Sequence, residues 1–426
     1  MKEFRSIILA AGKGTRMKSE MPKVLHKVAG KPVIQYVLDI TQYLRSLKTY
    51  VVVGHKSEMV KAYVGNTVEV AIQKQLLGTA DAVKSVVPHL KGYSGHVLIL
   101  CGDTPLLDRA IIRQLINKHL RTKVACTVLT ARIPDAGTYG RIIRDANGNI
   151  SAIREHKDAT PEEQAINEIN VGVYCFRAPL LVETLKKVQL NAKKKEFYLT
   201  DIVELLLSRG EKVETLVTDD PNVAFGVNTR EDLALCESIL RARILKRLML
   251  SGVTIVDPRT TFIDDEVKIG RDTVIHPFTV IQGGVKIGEE CSIGPFARIR
   301  PGSVIGNKAE IGNFGEVSRT TIGEGSLMKH FGFLGDTTIG KNANIGAGCV
   351  TANYDGVNKN KTFIGDEAFI GSDAVLVAPV NVGAGAVVGA GSVLTRGKKV
   401  PNRGLAVGVP ARIFSKPFVD NKGKKV

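Results

Sequence analysis

A glycine-rich string near the start of the chain has the residue types that bind phosphate groups. It reads Leu9-Ala-Ala-Gly-Lys-Gly-Thr-Arg-Met17 and is followed by Pro22-Lys23. Glycines let backbone N–H groups approach phosphate oxygens closely, and the side chains of Arg16 and Lys23 can neutralise the charge of a triphosphate. We therefore predict a nucleoside triphosphate site here, with Arg16 and Lys23 as catalytic residues.

A second string places a carboxylate directly after an apolar run. Gly102-Asp103-Thr-Pro105 follows Val97 to Cys101, so Asp103 is expected at the carboxyl end of a strand. Mg²⁺ in proteins prefers one or two carboxylates together with phosphate oxygens and water. Asp103 is therefore predicted to be a Mg²⁺ ligand that faces the phosphates, with a turn-forming aspartate as the alternative.

The elements that must position these residues alternate between strand and helix. The alternation runs from Ser6 to about Asn228, with short β-branched runs and helical patterns at Ile7 to Ala10, Val33 to Leu47, Val51 to Gly54, Thr79 to Val87 and Val97 to Cys101. It is typical of βαβ units around a mostly parallel sheet, whose ligands bind at the carboxyl ends of the strands. We predict an α/β Rossmann-like domain over residues 1–228, with its site in the loops after Leu9 and Cys101.

A helical segment is predicted to follow this domain. Thr229-Arg-Glu-Asp has the form of an N-cap followed by early acidic residues, and Gly252 ends the pattern. Apolar residues recur on one face, at Leu233, Cys236, Ile239, Leu240, Ile244 and Leu248. Residues 229–252 are therefore predicted to form a linker helix.

The second half of the chain contains an internal repeat with a period of six residues. Its aliphatic positions are Ile263, Ile269, Ile275, Ile281, Ile287, Ile293, Ile299, Ile305, Ile311, Val317, Ile322, Met328, Leu334, Ile339, Ile345, Ile364, Ile370, Leu376, Val382, Val388 and Leu394. A small residue often lies four positions after the aliphatic one, where a tight corner would fall. This period predicts a parallel β-helix over residues 253–426. The segment from Asn353 to Thr362 breaks the period and is expected to form an excursion loop that reaches a neighbour.

The composition is that of an ordinary globular protein with two domains. A chain of 426 residues is long for one core, and its hydrophobic share of 44% and charged share of 24% exclude a disordered or membrane-embedded protein. No window approaches a membrane span, and the apolar run within Met1 to Ala11 is too short for a signal peptide. The six cysteines lie far apart, without metal-ligand spacing, so we predict reduced thiols in a cytoplasmic protein.

The net charge of +17 does not by itself indicate a nucleic-acid partner. Basic residues are dispersed, apart from Lys193 to Lys195 and a basic tail at Lys422 to Lys425. The sequence shows neither a groove-reading motif nor a set of stacking aromatics. A basic surface suits anionic phosphorylated substrates equally well, so no nucleic acid is expected as a partner.

The strings of the first half carry a family resemblance. The string at Leu9 to Met17 with Pro22-Lys23 resembles the signature of nucleotidyltransferases that couple sugar 1-phosphates to nucleoside triphosphates. Four more strings are similar to those of the branch that forms UDP-N-acetylglucosamine, namely Tyr139-Gly140-Arg, Glu155-His-Lys-Asp-Ala159, Asn167-Glu-Ile-Asn170 and Tyr198-Leu-Thr-Asp201. Gly226-Val-Asn228 matches the position of the family's second Mg²⁺ ligand.

This resemblance implies substrates and individual roles. UTP and N-acetylglucosamine 1-phosphate would be the substrates, and Asp103 and Asn228 would hold Mg²⁺. The residues implied in nucleotide binding are Leu9, Ala10, Ala11, Gly12, Lys23, Gln73, Gly78 and Thr79, and those implied in sugar binding are Gly140, Glu155, Asn170 and Asn228. Leu76 and Val171 stand where the family usually has glutamine and threonine.

The repeat resembles the left-handed β-helix of hexapeptide-repeat acyltransferases, which are typically trimers with acyl-CoA sites between subunits. Three strings match the acetyltransferase site of bifunctional enzymes that make UDP-N-acetylglucosamine, namely Phe296-Ala-Arg-Ile-Arg300-Pro-Gly, Asn344-Ile-Gly-Ala347-Gly and Asn353-Tyr354-Asp-Gly with Lys359. By this resemblance His330 is the catalytic base of acetyl transfer. The residues implied for glucosamine 1-phosphate are Arg300, Asn344 and Lys359, and those for acetyl-CoA are Ala347, Asn353, Tyr354, Ser372 and Ala390.

Departures from the family pattern fall inside this second site. Ser318 stands where the family usually has a phosphate-binding lysine, and Phe333 stands where it has a tyrosine. Arg319 would replace the missing charge only if its side chain points into the site. Gly408-Val-Pro-Ala-Arg412 is more similar to other hexapeptide acyltransferases.

Three functions follow as alternatives. The leading expectation is a homotrimeric bifunctional enzyme that acetylates glucosamine 1-phosphate and then transfers UMP to the product. The second keeps only the uridylyltransferase, with the β-helix as a trimerising or regulatory body, and Ser318 and Phe333 favour it. The third is a non-catalytic interaction protein, because the same pair of domains resembles subunits of a eukaryotic translation-factor exchange complex; intact Arg16, Lys23, Asp103 and Asn228 argue against it.

Overall fold

A computed structural model describes residues 4–192 and 195–415 of the chain. The chain divides into two compact units, Met1–Glu237 and Ser238–Val426. The division falls within the helix Arg230–Leu250, whereas the sequence predicts domain boundaries after residues 228 and 252. Lys193, Lys194 and the basic tail lie outside the described residues.

The first unit is built on a nine-stranded sheet with helices on both faces, and it also contains a separate two-stranded sheet of Lys27–Val28 and Lys31–Pro32. Its strands are β1 (Phe4–Leu9), β2 (Lys27–Val28), β3 (Lys31–Pro32), β4 (Thr49–Val53), β5 (Glu69–Ile72), β6 (His96–Cys101), β7 (Cys126–Arg132), β8 (Arg141–Arg144), β9 (Ile150–Arg154), β10 (Glu168–Arg177) and β11 (Val213–Thr218). The helices are α1 (Val33–Tyr43), α2 (Ser57–Val64), α3 (Thr79–Lys84), α4 (Arg109–Thr122), α5 (Pro161–Gln164), α6 (Ala178–Leu185), α7 (Asp201–Leu207) and α8 (Arg230–Leu250).

The sheet is mixed rather than mostly parallel. Its strand order is β11-β7-β10-β6-β1-β4-β5, and β8 pairs with β9 and β10. β1 runs parallel to β4 and β6, but β10 runs antiparallel to both β6 and β7. The hairpin of β8 and β9 precedes β10 and returns the chain without the long crossover that a parallel neighbour needs.

Two apolar clusters cover the faces of this sheet. One contains Val37 of α1 and Leu115 of α4, and the other contains Val83 of α3 and Leu181 of α6. Helix α1 ends at Tyr43, before the predicted end at Leu47, because Arg45 takes a left-handed backbone conformation with φ 55° that helices do not continue. The predicted α/β architecture is confirmed.

The second unit is a left-handed parallel β-helix with three sheets, and it confirms the fold expected from the repeat. The first sheet contains Thr254–Ile255, Val274–Ile275, Ser292–Ile293, Glu310–Ile311, Leu327–Met328, Asn344–Ile345, Phe369–Ile370, Val387–Val388, Leu405–Val407 and Arg412–Phe414. The second contains Phe262–Ile263, Val280–Ile281, Arg298–Ile299, Gly315–Ser318, Gly332–Gly335, Val350–Ala352, Val375–Val377 and Val393–Leu394. The third contains Lys268–Ile269, Lys286–Ile287, Val304–Ile305, Thr321–Ile322, Thr337–Ile339, Thr362–Ile364, Val380–Val382 and Lys399–Val400.

The six-residue period of the sequence is the inward side of these strands. Every aliphatic position predicted to stack inward is buried, except Ile269 near the start of the β-helix, which is half-buried. Residues 353–361 leave the period between the second and third sheets, with Tyr354 and Lys359 bridged across the loop. Among the described residues, no helix is long and apolar enough to cross a membrane.

Candidate functional site

The glycine-rich loop follows β1 and folds back on itself at Gly14. The backbone of Gly14 has φ 60°, and an added Cβ would lie 2.9 Å from the Cβ of Lys23. A larger residue would therefore be strained and would push the two segments apart. Thr15–Met17 forms a single 3₁₀ turn in which Met17 is buried and Arg16 is exposed. The loop thus presents the Arg16 side chain to solvent while it packs against Lys23.

Three polar side chains that are distant in sequence meet beside this loop. The ammonium of Lys23 donates to the carboxylate of Asp103 and, at 2.9 Å, to Asn228 Oδ1. Pairing of β1 with β6 brings Asp103 to the loop, because Leu9 and Cys101 are register partners and Gly102 N–H donates to the Leu9 carbonyl at 2.9 Å. Val227 N–H donates to the Asp103 carbonyl at 2.9 Å, which places Asn228 on the other side.

The oxygens of Asp103 and Asn228 suit a hard divalent cation. Both converge on one positive charge, and a carboxylate and a carboxamide oxygen are donors that Mg²⁺ accepts. In the described part of the chain, no group of three or more His, Cys, Asp or Glu side chains could hold a metal ion. A cation at this point would therefore need further oxygens from a ligand, as phosphates provide.

A cavity of about 630 Å³ opens next to these residues. Most of the residues predicted to bind the nucleotide line it, namely Leu9, Ala11, Gly12, Gln73, Gly78 and Thr79, together with Asp103 and Glu155. Ala10 is buried and does not line the cavity. Sequence reasoning did not assign the other lining residues, which are Lys13, Leu76, Ala82, Cys101, Glu196 and Tyr198.

Hydrogen bonds fix the cavity wall at Gln73 and Thr79. Gln73 is buried, and its amide donates to the Gly78 carbonyl at 3.0 Å and to Asp81 at 2.8 Å. Thr79 Oγ1 accepts a hydrogen bond from Leu199 N–H at 3.0 Å. The amide oxygen of Gln73 is thereby oriented, since both donor contacts use its nitrogen.

Three of the four sugar-site candidates, Gly140, Glu155 and Asn170, lie along the hairpin and β10. Asn170 N–H donates to the Gly140 carbonyl at 2.8 Å, and Asn170 Nδ2 donates to the Tyr174 hydroxyl at 2.7 Å. Glu155 Oε1 accepts the Thr200 hydroxyl at 3.1 Å. Among the three, only Glu155 lines the cavity in this state.

Burial and acidic neighbours raise the pKa of two side chains near Glu155, Asp201 and Tyr198. Burial, together with the charges of Glu204, Glu155 and Asp158, raises the pKa of Asp201 to about 6. Burial, with the charge of Glu196 beside it, also raises the pKa of Tyr198 to about 12. The Tyr198 hydroxyl is buried without a hydrogen-bond partner among the described residues, so a polar ligand group could satisfy it.

Arg141, whose role sequence reasoning missed, fixes the backbone around Gly140. Its side chain is buried and donates to the carbonyls of Ala136, Gly137, Tyr139 and Gln164. The guanidinium thus holds the turn before Gly140 against the residue that ends α5. The only available signal was that the charged residue directly follows Gly140.

The start of α8 is fastened to the loop region. Arg230 Nε donates to the Met17 carbonyl at 3.3 Å, and the Glu237 carboxylate accepts Ala29 N–H at 2.6 Å. Thr229 caps the helix, because its Oγ1 accepts Asp232 N–H at 3.0 Å. The Asp232 carboxylate in turn accepts the N–H groups of Asn228 and Thr229 at 2.9 and 2.8 Å. Asn228 is therefore held at a fixed point just before the helix.

In the second unit, four predicted residues stack at one corner of the β-helix. His330, Ala347, Ser372 and Ala390 each lie two residues after a buried residue of the first sheet, in four successive coils. Backbone bonds connect the coils there, from Asp373 N–H to the Ala347 carbonyl and from Gly391 N–H to the Ser372 carbonyl, both at 2.7 Å. His330 is exposed, and the small residues below it leave the corner open.

Of the remaining predicted residues, Asn344 lies in the first sheet, in the strand that ends two residues before Ala347. The others, Arg300, Asn353, Tyr354 and Lys359, lie at or near the end of the second sheet. Arg300 donates to Glu316 at 2.8 Å, and Asn353, which begins the excursion loop, donates to Asp336. Lys359 lies close enough to help lower the pKa of the Asp336 carboxyl, although the hydrogen bond from Arg319 is the main cause. One chain therefore places His330 and the loop residues at two different corners, and does not bring them together.

The side chain of Arg319 is held by Asp336. Its Nε and Nη2 donate to the two Asp336 oxygens at 2.6 and 2.8 Å, and Nη1 donates to Ser318 Oγ at 2.8 Å. Ser318 is fully buried, and the ring of Phe333 lies across Gly335. Arg319 thus forms a ladder with Asp336 and Asn353 along this corner.

Comparisons with known proteins match both units. Residues 5–222 match the family model described as nucleotidyl transferase, residues 266–301 match the bacterial transferase hexapeptide, and residues 336–358 and 361–396 match the hexapeptide repeat of succinyl-transferase. The chain is 43% identical to the bifunctional protein GlmU of Geobacillus thermodenitrificans, over 99% of this chain and 98% of that protein. It is 44% identical to the proteins of the same name from a Geobacillus species and from Pelotomaculum thermopropionicum, over 85% and 86% of this chain and 86% and 87% of theirs.

Proposed function

Because the chain belongs to the GlmU family of bifunctional proteins, we propose that its two units catalyse two successive steps of UDP-N-acetylglucosamine synthesis. The domains are then a uridylyltransferase over residues 1–228, a linker helix over 229–252 and an acetyltransferase from residue 253 onward. The convergence of Lys23, Asp103 and Asn228 beside the cavity carries the first assignment.

The first unit transfers UMP from UTP to N-acetylglucosamine 1-phosphate. A phosphate oxygen of the sugar attacks the α-phosphorus, a new P–O bond forms, and the bond to the β-phosphate bridging oxygen breaks, so that pyrophosphate leaves. Arg16 and Lys23 bind the phosphates and stabilise the growing negative charge. Gln73, Gly78 and Thr79 hold the uridine, and Gly140, Glu155 and Asn170 hold the sugar.

Asp103 and Asn228 would hold Mg²⁺ as the cofactor of this step. The bound ion would neutralise phosphate charge and help to orient the triphosphate for in-line attack. The chain itself supplies one carboxylate and one carboxamide, so the nucleotide must supply further ligands. Because the chain supplies so few donors, we expect the complete metal site to need both the metal and the nucleotide.

The second unit transfers an acetyl group from acetyl-CoA to glucosamine 1-phosphate. The amine nitrogen attacks the thioester carbon, the C–N bond forms and the C–S bond breaks, while His330 takes the amine proton and the thiolate of CoA is released. Arg300, Asn344 and Lys359 bind the sugar phosphate. The open corner at Ala347, Ser372 and Ala390 receives CoA, and Asn353 and Tyr354 of a second copy border it.

A homotrimer completes this second site. His330 and the loop with Tyr354 and Lys359 lie at different corners of one chain, so a second copy has to bring its loop to the His330 corner. The protein is placed in the cytoplasm, where UTP and acetyl-CoA are available. The six cysteines, all free, fit a reducing compartment.

A second candidate keeps only uridylyl transfer, with the β-helix as a trimerising or regulatory body. The engagement of Arg319 by Asp336 favours it. Ser318 stands where the family usually has a phosphate-binding lysine, and the neighbouring guanidinium that could replace that charge is already neutralised. The two candidates differ in one measurable activity, the release of CoA.

The deciding experiment runs two assays on the purified chain. Thiol release from acetyl-CoA with glucosamine 1-phosphate tests the second unit, and pyrophosphate release from UTP with N-acetylglucosamine 1-phosphate tests the first. Signal in both assays is expected. Pyrophosphate without thiol release would leave the β-helix as a scaffold, and silence in both would overturn the proposal.

A further inference from the structure

A positive charge already occupies the point at which Asp103 and Asn228 converge. The Lys23 ammonium contacts both oxygens, and the side chains of Lys23 and Asp103 are only 13% and 23% exposed. Asn228 Nδ2 donates to the Gly226 carbonyl at 3.1 Å, which turns the amide oxygen toward Lys23. The ammonium therefore uses the same two donors that a divalent cation would use.

We propose that Lys23 is a placeholder for the metal, which neutralises Asp103 until a nucleotide draws the ammonium away. An ammonium and a divalent cation repel each other and cannot both sit between the same two oxygens. The inference rests on the proposed function, since it concerns the metal ligands of uridylyl transfer. It adds an order of events: the triphosphate must engage Lys23 before Asp103 and Asn228 are free for the metal.

The position of Lys23 allows this movement without a change of fold. Its Cβ packs against Gly14 of the glycine-rich loop, so the backbone of Lys23 is already next to the segment predicted to hold phosphates. The four-carbon side chain is flexible, and its ammonium has three rotatable donors. Rotation of the side chain alone can carry the ammonium from Asp103 to a bound triphosphate.

A purely structural ion pair between Lys23 and Asp103 would have different effects on stability and on cation binding. A structural pair is expected to stabilise the fold and to persist when ligand binds, whereas a placeholder suppresses binding of a free cation and releases its partner with nucleotide. The contact sits beside the cavity, with Asp103 among the lining residues, rather than within an apolar core. The distinguishing property is therefore the affinity of the nucleotide-free chain for a divalent cation.

The test measures Mn²⁺ binding by electron paramagnetic resonance, without catalysis. Without nucleotide, Lys23→Met should bind Mn²⁺ about tenfold more tightly than the wild-type chain, because the competing ammonium is gone. Lys27→Met is the matched control, since Lys27 is exposed four residues away and its loss removes the same charge. With UTP and no sugar phosphate, the advantage of Lys23→Met should disappear.

Each outcome decides the proposal separately from the function. Equal Mn²⁺ affinity of wild type and Lys23→Met without UTP would overturn the placeholder, as would an equal gain in Lys27→Met. With UTP present, Asp103→Ala should bind no more Mn²⁺ than UTP binds without protein. If it binds more, the metal site of the proposed function is wrong. Circular dichroism checks folding, and Lys23→Gln replaces Lys23→Met if that variant unfolds.

Discussion

The two units assemble their sites in opposite ways. In the first unit, Lys23 contacts Asp103 and Asn228, which are 80 and 205 residues away in sequence, because sheet topology brings three loops to one point. In the second unit, His330, Ala347, Ser372 and Ala390 meet because the same position recurs in successive coils. In the first unit, sheet topology brings different residue types to one site. In the second unit, the repeat places residues at the same position of successive coils, so that they form a row.

This difference predicts how independent the two activities are. The proposed metal ligands and the residues lining the cavity of the first unit lie together in one chain, while His330 and the loop residues of the second lie at separate corners. Damage to one set should therefore leave the other activity intact. The predictions below test that separation, beginning with the largest expected effect.

Asp103→Ala should reduce pyrophosphate release at least roughly 10³-fold, because it removes the carboxylate that balances Lys23 and is proposed to hold Mg²⁺. CoA release by the same protein should stay within about twofold of wild type. Parallel assays of the two products provide the measurement. Loss of both activities together would break the comparison, since it would mean that the sites are coupled.

His330→Ala should reduce CoA release about 10²- to 10³-fold, as expected for removal of a general base. Pyrophosphate release should not change. His276→Ala is the matched control, because His276 lies at the corresponding corner three coils earlier and bonds Ser292 Oγ at 3.1 Å. A similar loss of CoA release in both variants would show that the effect is structural.

Acid should destabilise the first unit through the buried His119, which contacts the half-buried His96. His119 is fully buried, His96 Nδ1 lies 3.0 Å from its Nε2, and burial with the charges of His96 and Arg177 lowers the pKa of His119 to about 4. The folded state therefore disfavours the proton that the unfolded chain binds below about pH 6.5. Stability present above that pH should be lost as pH falls toward 4, by on the order of 3 kcal/mol.

The whole chain is unfolded in urea at pH 7.5 and at pH 4.5. Unfolding of the first unit is measured as the loss of pyrophosphate release, which is assayed after return to neutral pH. His119→Gln should lose less stability between the two pH values than the wild-type chain. An identical pH dependence in the two proteins would exclude His119 as the cause.

Arg319→Met should lower kcat/KM for acetyl transfer about tenfold, because Asp336 would lose both of its guanidinium contacts and hold Asn353 less firmly. Arg319→Lys should recover only part of the loss, since lysine cannot form the bidentate contact. Pyrophosphate release serves as the internal control. Unchanged acetyl transfer in Arg319→Met would mean that the ladder does not position the loop.

Much of the fold was predictable from the sequence, for a physical reason that differs between the units. The six-residue period of the β-helix is a local pattern, and its inward positions are buried at every predicted site except Ile269. The strands and helices of the first unit were predictable in kind, but the direction of β10 was not. Strand direction depends on the length and path of a connection rather than on residue type.

The candidate sites were predictable as residues and not as contacts. The strings around Gly12, Asp103 and Asn228 predicted the metal and phosphate positions, since each has a residue type required by that chemistry. The roles of Arg141 and Tyr198 had no comparable signal in the sequence. Arg141 donates only to backbone carbonyls, and the Tyr198 hydroxyl is buried without a hydrogen-bond partner among the described residues.

The sequence by itself determined the two-unit architecture, the inward row of the β-helix and the residue types available for both reactions. Only the tertiary structure decided that Lys23 sits between Asp103 and Asn228, that Arg319 turns to Asp336, and that His330 is separated from the excursion loop. The physical reason is that composition and period act locally along the chain. Side-chain partners are chosen among groups that the backbone topology brings together from distant segments.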